Sequence, residues 1–306
     1  MSHDKGRVWS PVITPFGADL APDTERFVTH CRWLLEQEVG LAVFGTNSEA
    51  NSLAVEEKKQ LLDALIEAGV PATRLMPGTG SCALADTVAQ TRHAVAKGVE
   101  GVLMLPPFYY KGVSDEGLFR YFSEVIERVG DDRLRIYLYH IPPVSQVPLS
   151  LALIERLLKA YPKNVVGLKD SSGDWSNTQA VIEQFGGDGF HVYAGSESFL
   201  LQTLRAGGAG CISATANVNP GPIARLARTW QAGDADEQQA ALVRTRKIFE
   251  RFPVIAALKA ATARFSGSEQ WARLRPPLVE LNEQQRDELF ALLDDGSFDM
   301  PGLKQS

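Results

Sequence analysis

The chain has little cysteine, no surplus of positive charge and no long apolar run, and each lack removes a class of function. Three cysteines in 306 residues, Cys31, Cys82 and Cys211, are odd in number and far apart. They supply neither a disulfide framework nor a paired Cys-x-x-Cys for zinc or redox chemistry. Acidic residues outnumber basic ones by 37 to 31, and the formal charge of −6 argues against a nucleic-acid or anionic-membrane partner. No apolar run nears the ~20 residues that cross a bilayer. Met1-Ser2-His3-Asp4-Lys5 has no apolar core behind it, as a secretion signal would, so a cytoplasmic protein is expected. Also missing are His-Glu-x-x-His, Gly-x-Ser-x-Gly, a Walker loop and a dinucleotide glycine fingerprint. Neither a metal site nor a bound cofactor is expected.

What is present is a regular alternation. Short β-type runs occur at Val8–Ile13, Leu41–Phe44, Arg74–Met76, Gly101–Leu105, Arg135–Tyr139, Val165–Leu168, His191–Ala194 and Gly210–Ser213. Amphipathic segments separate them, with apolar faces such as Phe27, Cys31, Leu34 and Leu118, Phe122, Val125, Ile126, Val129. Eight strand-helix units without a nucleotide fingerprint predict an α/β chain folded as a (β/α)8 TIM barrel. The barrel is expected to occupy residues 1–230 and to carry the active site. Residues 231–306 read as a C-terminal helical extension, its last helix opened by the capping box Asn282…Gln285 and running through Leu293.

In such barrels chemistry sits at the C-terminal strand ends. There the sixth run, Val165-Val166-Gly167-Leu168, leads into Lys169-Asp170. Lysine at a buried strand end is either an ammonium that snorkels to the surface or an amine kept from water to attack a carbonyl. Burial favours the neutral, nucleophilic form. The other strand ends bear on the choice: Gly45-Thr46-Asn47-Ser48-Glu49, Pro106-Pro107-Phe108-Tyr109-Tyr110, Tyr139-His140-Ile141-Pro142 and Gly195-Ser196-Glu197. Each has a plainer reading. Thr46 to Ser48 suit a turn and helix cap, the two tyrosines suit packing, and Glu49 and Glu197 suit solvated loops. His140 reads as a hydrogen-bonded loop residue, since no second histidine stands at ligand spacing.

Taken together, Gly45-Thr46-Asn47-Ser48-Glu49, Tyr109-Tyr110, Tyr139-His140-Ile141-Pro142 and Gly167-Leu168-Lys169-Asp170 resemble, in order and spacing, the dihydrodipicolinate synthase/N-acetylneuraminate lyase family. Thr14-Pro15-Phe16 and the stretch from Ile212 to Val218 add to the likeness. The resemblance implies a class I, metal-free lyase or aldolase, or a dehydratase, in which Lys169 forms an imine with pyruvate or another 2-keto acid. Tyr139 would move the proton, and Thr46 would link it to Tyr110, in preference to Tyr109, a tyrosine which in the family often reaches in from a neighbouring subunit. Thr46 and Asn47 would hold the keto-acid carboxylate. Ile212, Gly195, Glu197, Val144 and His140 are further candidates for substrate contact. A homo-oligomer, a dimer of dimers, is implied as well.

Some positions depart from the family pattern. Asn47 and Ser48 stand where a second hydroxyl and a glycine are usual, and Ser48 is expected to restrict the loop. Val144 stands where the lysine-pathway synthases carry an arginine for the aldehyde substrate's carboxylate. Ser198 and Ala214 replace an acid and a hydroxyl that sialic-acid lyases use. The leading reading is therefore a Schiff-base lyase for a 2-keto acid with a moderately apolar far end. The alternatives are 4-hydroxy-tetrahydrodipicolinate synthase and a non-catalytic keto-acid binder.

Overall fold

A computed structural model describes residues 6–303. Seven parallel strands form one sheet: β1 (Arg7–Ser10), β2 (Gly40–Leu41), β3 (Val102–Met104), β4 (Ile136–His140), β5 (Val165–Asp170), β6 (His191–Ala194) and β7 (Gly210–Ile212). Their order is β2-β1-β7-β6-β5-β4-β3. The two ends are joined by residues 75–79. Met76 N donates to Leu41 O at 2.9 Å and Gly78 N to Val43 O at 2.7 Å; on the other side Leu103 N donates to Pro77 O at 2.9 Å and Thr79 N to Leu103 O at 3.0 Å. The sheet thus curls into an α/β barrel.

The segment that closes the ring is the expected third strand, and it is not a strand. Arg74 ends a 3₁₀ turn, Ala72–Arg74, and only single bridges, Leu41 to Leu75 and Gly78 to Leu103, remain. Proline explains this, because Pro77 has no N–H to give to a ladder and Pro71 starts the turn. β1 stops short of Pro11 for the same reason. β2 is shortened by Phe44, whose φ of 62° turns the chain out of the extended region. β5 runs two residues further than expected, so Lys169 and Asp170 lie within the strand.

Helices cover the outside: α1 (Thr24–Glu36), α2 (Val55–Glu67), α3 (Leu84–Ala96), α4 (Asp115–Val129), the single turn α5 (Pro142–Ser145), α6 (Leu151–Ala160), α7 (Trp175–Phe185), α8 (Leu200–Arg205) and α9 (Pro220–Thr229). The apolar faces read from the sequence are the buried ones: Phe27, Cys31 and Leu34 of α1, and Leu118, Phe122, Val125, Ile126 and Val129 of α4. Beyond the barrel come α10 (Ala235–Phe249), α11 (Val254–Ser266) and α12 (Glu283–Asp295), the last with the expected Asn282/Gln285 box. Phe249, Leu258, Leu289 and Leu293 join the same apolar core as the barrel helices. Among the described residues no helix is long and apolar enough to cross a membrane.

The barrel lumen is a packed core of its own, filled by Trp9, Met76, Leu103, Tyr137, Tyr139, Tyr193 and Ile212. A slip in register sets which β5 residues join it. Ile136 pairs with Val165 but Tyr137 with Gly167, so Val166 is passed over and Lys169 stands level with Tyr139. Gly167 is required here, because a Cβ on it would lie 2.5 Å from the Tyr137 ring and from His191 O. The bulge and the glycine together turn Lys169 toward the aromatic lumen.

Candidate active site

Lys169 is flanked in the sheet by Tyr139 on β4 and Tyr193 on β6. It is 3 % exposed, and its Nζ lies over the Tyr139 ring, 4.2 Å from the centroid. The phenol oxygen of Tyr139 is 3.2 Å from Thr46 Oγ1, either atom being able to donate. An amine, a phenol and a hydroxyl from three separate strand ends are thus in series. Asp170, next to the lysine, is occupied structurally. Its carboxylate accepts from Ser172 N (2.9 Å), Asn177 Nδ2 (3.0 Å) and Thr178 Oγ1 (2.6 Å), tying β5 to the start of α7.

The loop that carries Thr46 is a single 3₁₀ turn, Thr46–Ser48. Ser48 does not restrict it as expected. The left-handed position falls on Glu49 (φ 56°), while Ser48 Oγ accepts from Gly45 N at 3.1 Å and closes the turn. Thr14 Oγ1, in the loop after β1, donates to Ser48 O at 2.8 Å. Glu49 is no solvated loop acid. It is buried, paired with Lys259 of α11 and accepting from Arg275 N at 3.0 Å. Lys259 Nζ also donates to Arg273 O at 2.7 Å. Burial pushes the Lys259 amine down to about 8, against the pull of Glu49.

A cavity of about 460 Å³ opens over these groups, with Thr46, Asn47, Tyr139 and Lys169 on its wall. Gly195 lines it too, and no side chain fits there: a Cβ would lie 2.1 Å from Ser171 Oγ and 2.8 Å from Asp170 O. Ile141, Val144, Phe199 and Ala214 give the cavity an apolar side. Three more lining residues come from beyond the barrel: Arg246, Glu250 and Val254. Sequence reasoning missed them, since Arg246 and Glu250, four apart on a charged helix, look like any solvated pair. Gln239 ties this helix to the barrel, donating to Glu197 O and accepting from Leu201 N, both at 2.9 Å.

Other candidates are not on the cavity wall. Glu197 is fully buried. Its oxygens accept from Ser213 Oγ and Thr215 Oγ1, and Arg246 Nη1 lies 3.6 Å away. A loop acid expected to meet solvent or substrate instead braces the interior. Ile212 belongs to the lumen below. His140 is buried with Nδ1 accepting from Leu149 N at 3.0 Å, and burial lowers its pKa despite nearby Asp170. Tyr110 stands away from Thr46 in this chain: it is 72 % exposed, edge-to-face with Tyr109 at 5.3 Å, itself 73 % exposed. Among the described residues, no group of three or more His, Cys, Asp or Glu is placed to hold a metal ion.

The dihydrodipicolinate synthetase family model matches residues 4–295. The chain belongs to that family. It is an enzyme, a lyase of the dihydrodipicolinate synthetase family. An uncharacterized DapA-like lyase of Chloroflexus aurantiacus is 33 % identical over 292 residues, 93 % of this chain and 94 % of the relative. The 4-hydroxy-tetrahydrodipicolinate synthase of Agrobacterium fabrum is 32 % identical over 276 residues, 89 % and 91 % of the two chains. Among solved structures, dihydrodipicolinate synthase from Agrobacterium tumefaciens superposes with a TM-score of 0.87 at 32 % identity, covering 95 % of this chain and 99 % of that one. YagE, a prophage protein of the family from E. coli solved with pyruvate, gives 0.86 at 27 %, covering 95 % and 98 %.

Proposed function

We propose that this lyase forms an imine between Lys169 and the keto carbon of pyruvate or a larger 2-keto acid, and breaks or makes the carbon-carbon bond beyond it. The observation that carries the reading is Lys169 itself, buried in an aromatic lumen yet on the wall of a cavity, with a phenol bonded to a hydroxyl beside it. In the cleavage direction Nζ attacks the keto carbon and the carbonyl oxygen leaves as water. The resulting iminium is an electron sink. The C4 hydroxyl gives up its proton to Tyr139, the C3–C4 pair moves into the iminium to leave an enamine, and an aldehyde departs. Protonation at C3 and hydrolysis then return pyruvate and the free amine. Loss of water instead of an aldehyde would be the dehydratase form of the same chemistry.

In this reading Thr46 holds Tyr139 in the proton path, and Thr46 with Asn47 grips the keto-acid carboxylate. Gly195 lets the loop after β6 close against Ser171 and Asp170 at the cavity wall, and Val144 lies against the far end of the substrate. The barrel through residue 230 supplies the reacting groups, and the extension, 231–306, completes the cavity. The exposed Tyr109/Tyr110 pair supports a homo-oligomer, a dimer of dimers, in which Tyr110 reaches a neighbour's Thr46. The second reading is 4-hydroxy-tetrahydrodipicolinate synthase, favoured by the names of relatives about 30 % identical. Against it stands Val144, 62 % exposed on the cavity wall, which has no charge for a semialdehyde's carboxylate.

Borohydride with pyruvate tests the chemistry. A stable added mass on Lys169, absent in Lys169→Ala, is expected, together with pyruvate release from 4-hydroxy-2-keto acids. Condensation of pyruvate with aspartate semialdehyde at a higher rate would favour the synthase. An adduct without turnover on any substrate would leave a keto-acid binder, and no adduct at all would falsify the imine.

A further inference from the structure

We propose that the N-terminal face of the barrel carries a second binding site, for an organic monocarboxylate with an apolar body, in which Arg74 takes the carboxylate. The site stands apart from the Lys169 cavity and does not rest on the imine reading. Lys169 is near the C-terminal end of β5. The second cavity, also about 460 Å³, opens at the other end of the strands, beside Arg7 of β1, Gly40 of β2 and the turn that holds Arg74. Glu38, just past α1, and Arg228, in the last turn of α9, stand at its edge.

Three guanidiniums and two carboxylates line this cavity. Arg7 Nη1 donates to Glu100 Oε1 at 2.7 Å, and Arg228 is paired with Glu38. Arg74 is half-buried, and its guanidinium has no hydrogen-bond or ionic partner among the described residues. Burial, and after it the like charge of Arg7, lower the Arg74 pKa from its ordinary value, yet a guanidinium remains protonated. One positive charge is therefore left over in a partly dry recess, on a chain whose formal charge is −6. A carboxylate compensates that charge and accepts two parallel N–H groups from the planar fork.

The rest of the wall sets the body of the acid. Val8, Trp9, Leu35 and Ala224 are apolar, and the Trp9 ring packs so closely on Gly40 that a Cβ there would lie 2.3 Å from it. Aromatic or branched hydrocarbon buried against these groups adds to the attraction of the charge. A phosphate dianion fits worse, because Glu38 and Glu100 stand on the same wall and one surplus positive charge is too few for it. Among the described residues the wall holds no amine, imidazole or thiol, so an acid is bound there and not transformed.

The probe is 2-naphthoate, titrated calorimetrically into the full chain at low and at physiological salt. Saturable binding that weakens as salt rises is expected. Arg74→Gln is expected to weaken it by ~10-fold or more, the scale of a charge-assisted hydrogen bond, and Arg74→Lys by less. Arg74 leaves no partner orphaned, so the melting temperature of Arg74→Gln should match the wild type and separate lost binding from lost folding. Val144→Glu, which puts a repelling charge on the wall of the Lys169 cavity, is expected to leave naphthoate binding unchanged. 2-Naphthalenemethanol, the body without the charge, and inorganic phosphate, a charge without the body, are each expected to bind ~10-fold or more weakly than naphthoate. The proposal is overturned by no binding, by binding that Arg74→Gln leaves intact or Val144→Glu abolishes, or by equal binding of the alcohol or phosphate. Borohydride trapping of pyruvate should proceed alike in the wild type and Arg74→Gln, so a failed imine and a failed second site are read separately.

Discussion

At the scale of single residues, the phenol of Tyr139 bears the most chemical weight after the amine. Replacing it by phenylalanine keeps the ring that Lys169 packs against and removes the proton carrier. Tyr139→Phe is therefore expected to retain the borohydride-trapped pyruvate adduct while kcat falls by ~100-fold or more. Near-normal turnover would remove Tyr139 from the proton path. A second residue governs stability rather than rate. His30 is buried between Trp33 and Trp271, with ring centroids at 5.5 and 5.0 Å, and burial pushes its pKa down from 6.5 to about 4 against the pull of Asn217. Below pH 6.5 the unfolded chain takes up this proton and the folded chain does not. Stability on this account is intact above pH 6.5 and lost as pH falls toward 4, by up to about 3 kcal/mol. His30→Phe should flatten that slope in urea titrations run across the window. That Lys169, Tyr139 and Thr46 share one rim was legible in the sequence, because each stands at a strand end and together they match the family pattern. Glu197 and Glu49 were not, since a loop acid's burial depends on partners more than 15 positions away in the chain, Thr215 and Lys259 among them.

At the scale of elements, the loop holding Thr46 is fixed from outside the barrel. Glu49 follows that turn in a left-handed conformation and meets Lys259, which is fully buried. Cutting one partner of a buried pair leaves an uncompensated charge and typically costs ~3–5 kcal/mol. Glu49→Gln alone should lower the denaturation midpoint accordingly, and Lys259→Met in the same chain should recover most of the loss. Additive losses would mean that the pair is not coupled. The amphipathic helices were readable because their apolar spacing is local. Strand lengths were not: Pro77 and the left-handed Phe44 cut two strands short, and hydrogen bonding to Tyr139 and Tyr193 carried β5 on through Lys169.

At the scale of the whole molecule, α10 to α12 are built into the same core as the barrel. Phe249, Leu258, Leu289 and Leu293 are buried there, and Arg246 reaches the cavity. A chain ended at residue 230 should accordingly be recovered insoluble or without a cooperative thermal transition, whereas the full chain melts as one unit. A sharp transition in the shortened chain would make the extension a separate module. Oligomeric state has a comparable test. Tyr110→Arg should shift the sedimentation coefficient toward a smaller species and depress turnover together. The extension's helices could be read from the sequence; that they complete the cavity could not, because α10 carries no pattern that distinguishes a cavity-facing charge from a wetted one.

The closure at residues 75–79 gives the barrel a lengthwise seam. Pro77 and the single bridges leave that stave with few rungs, whereas β4, β5 and β6 are laced along their length two to four places round the ring. Breathing of the cylinder should then concentrate there: amide protons of Met76 and Gly78 should exchange with deuterium sooner than those of Leu168 and Lys169. The hoop can yield on one side while the anvil on the other stays still.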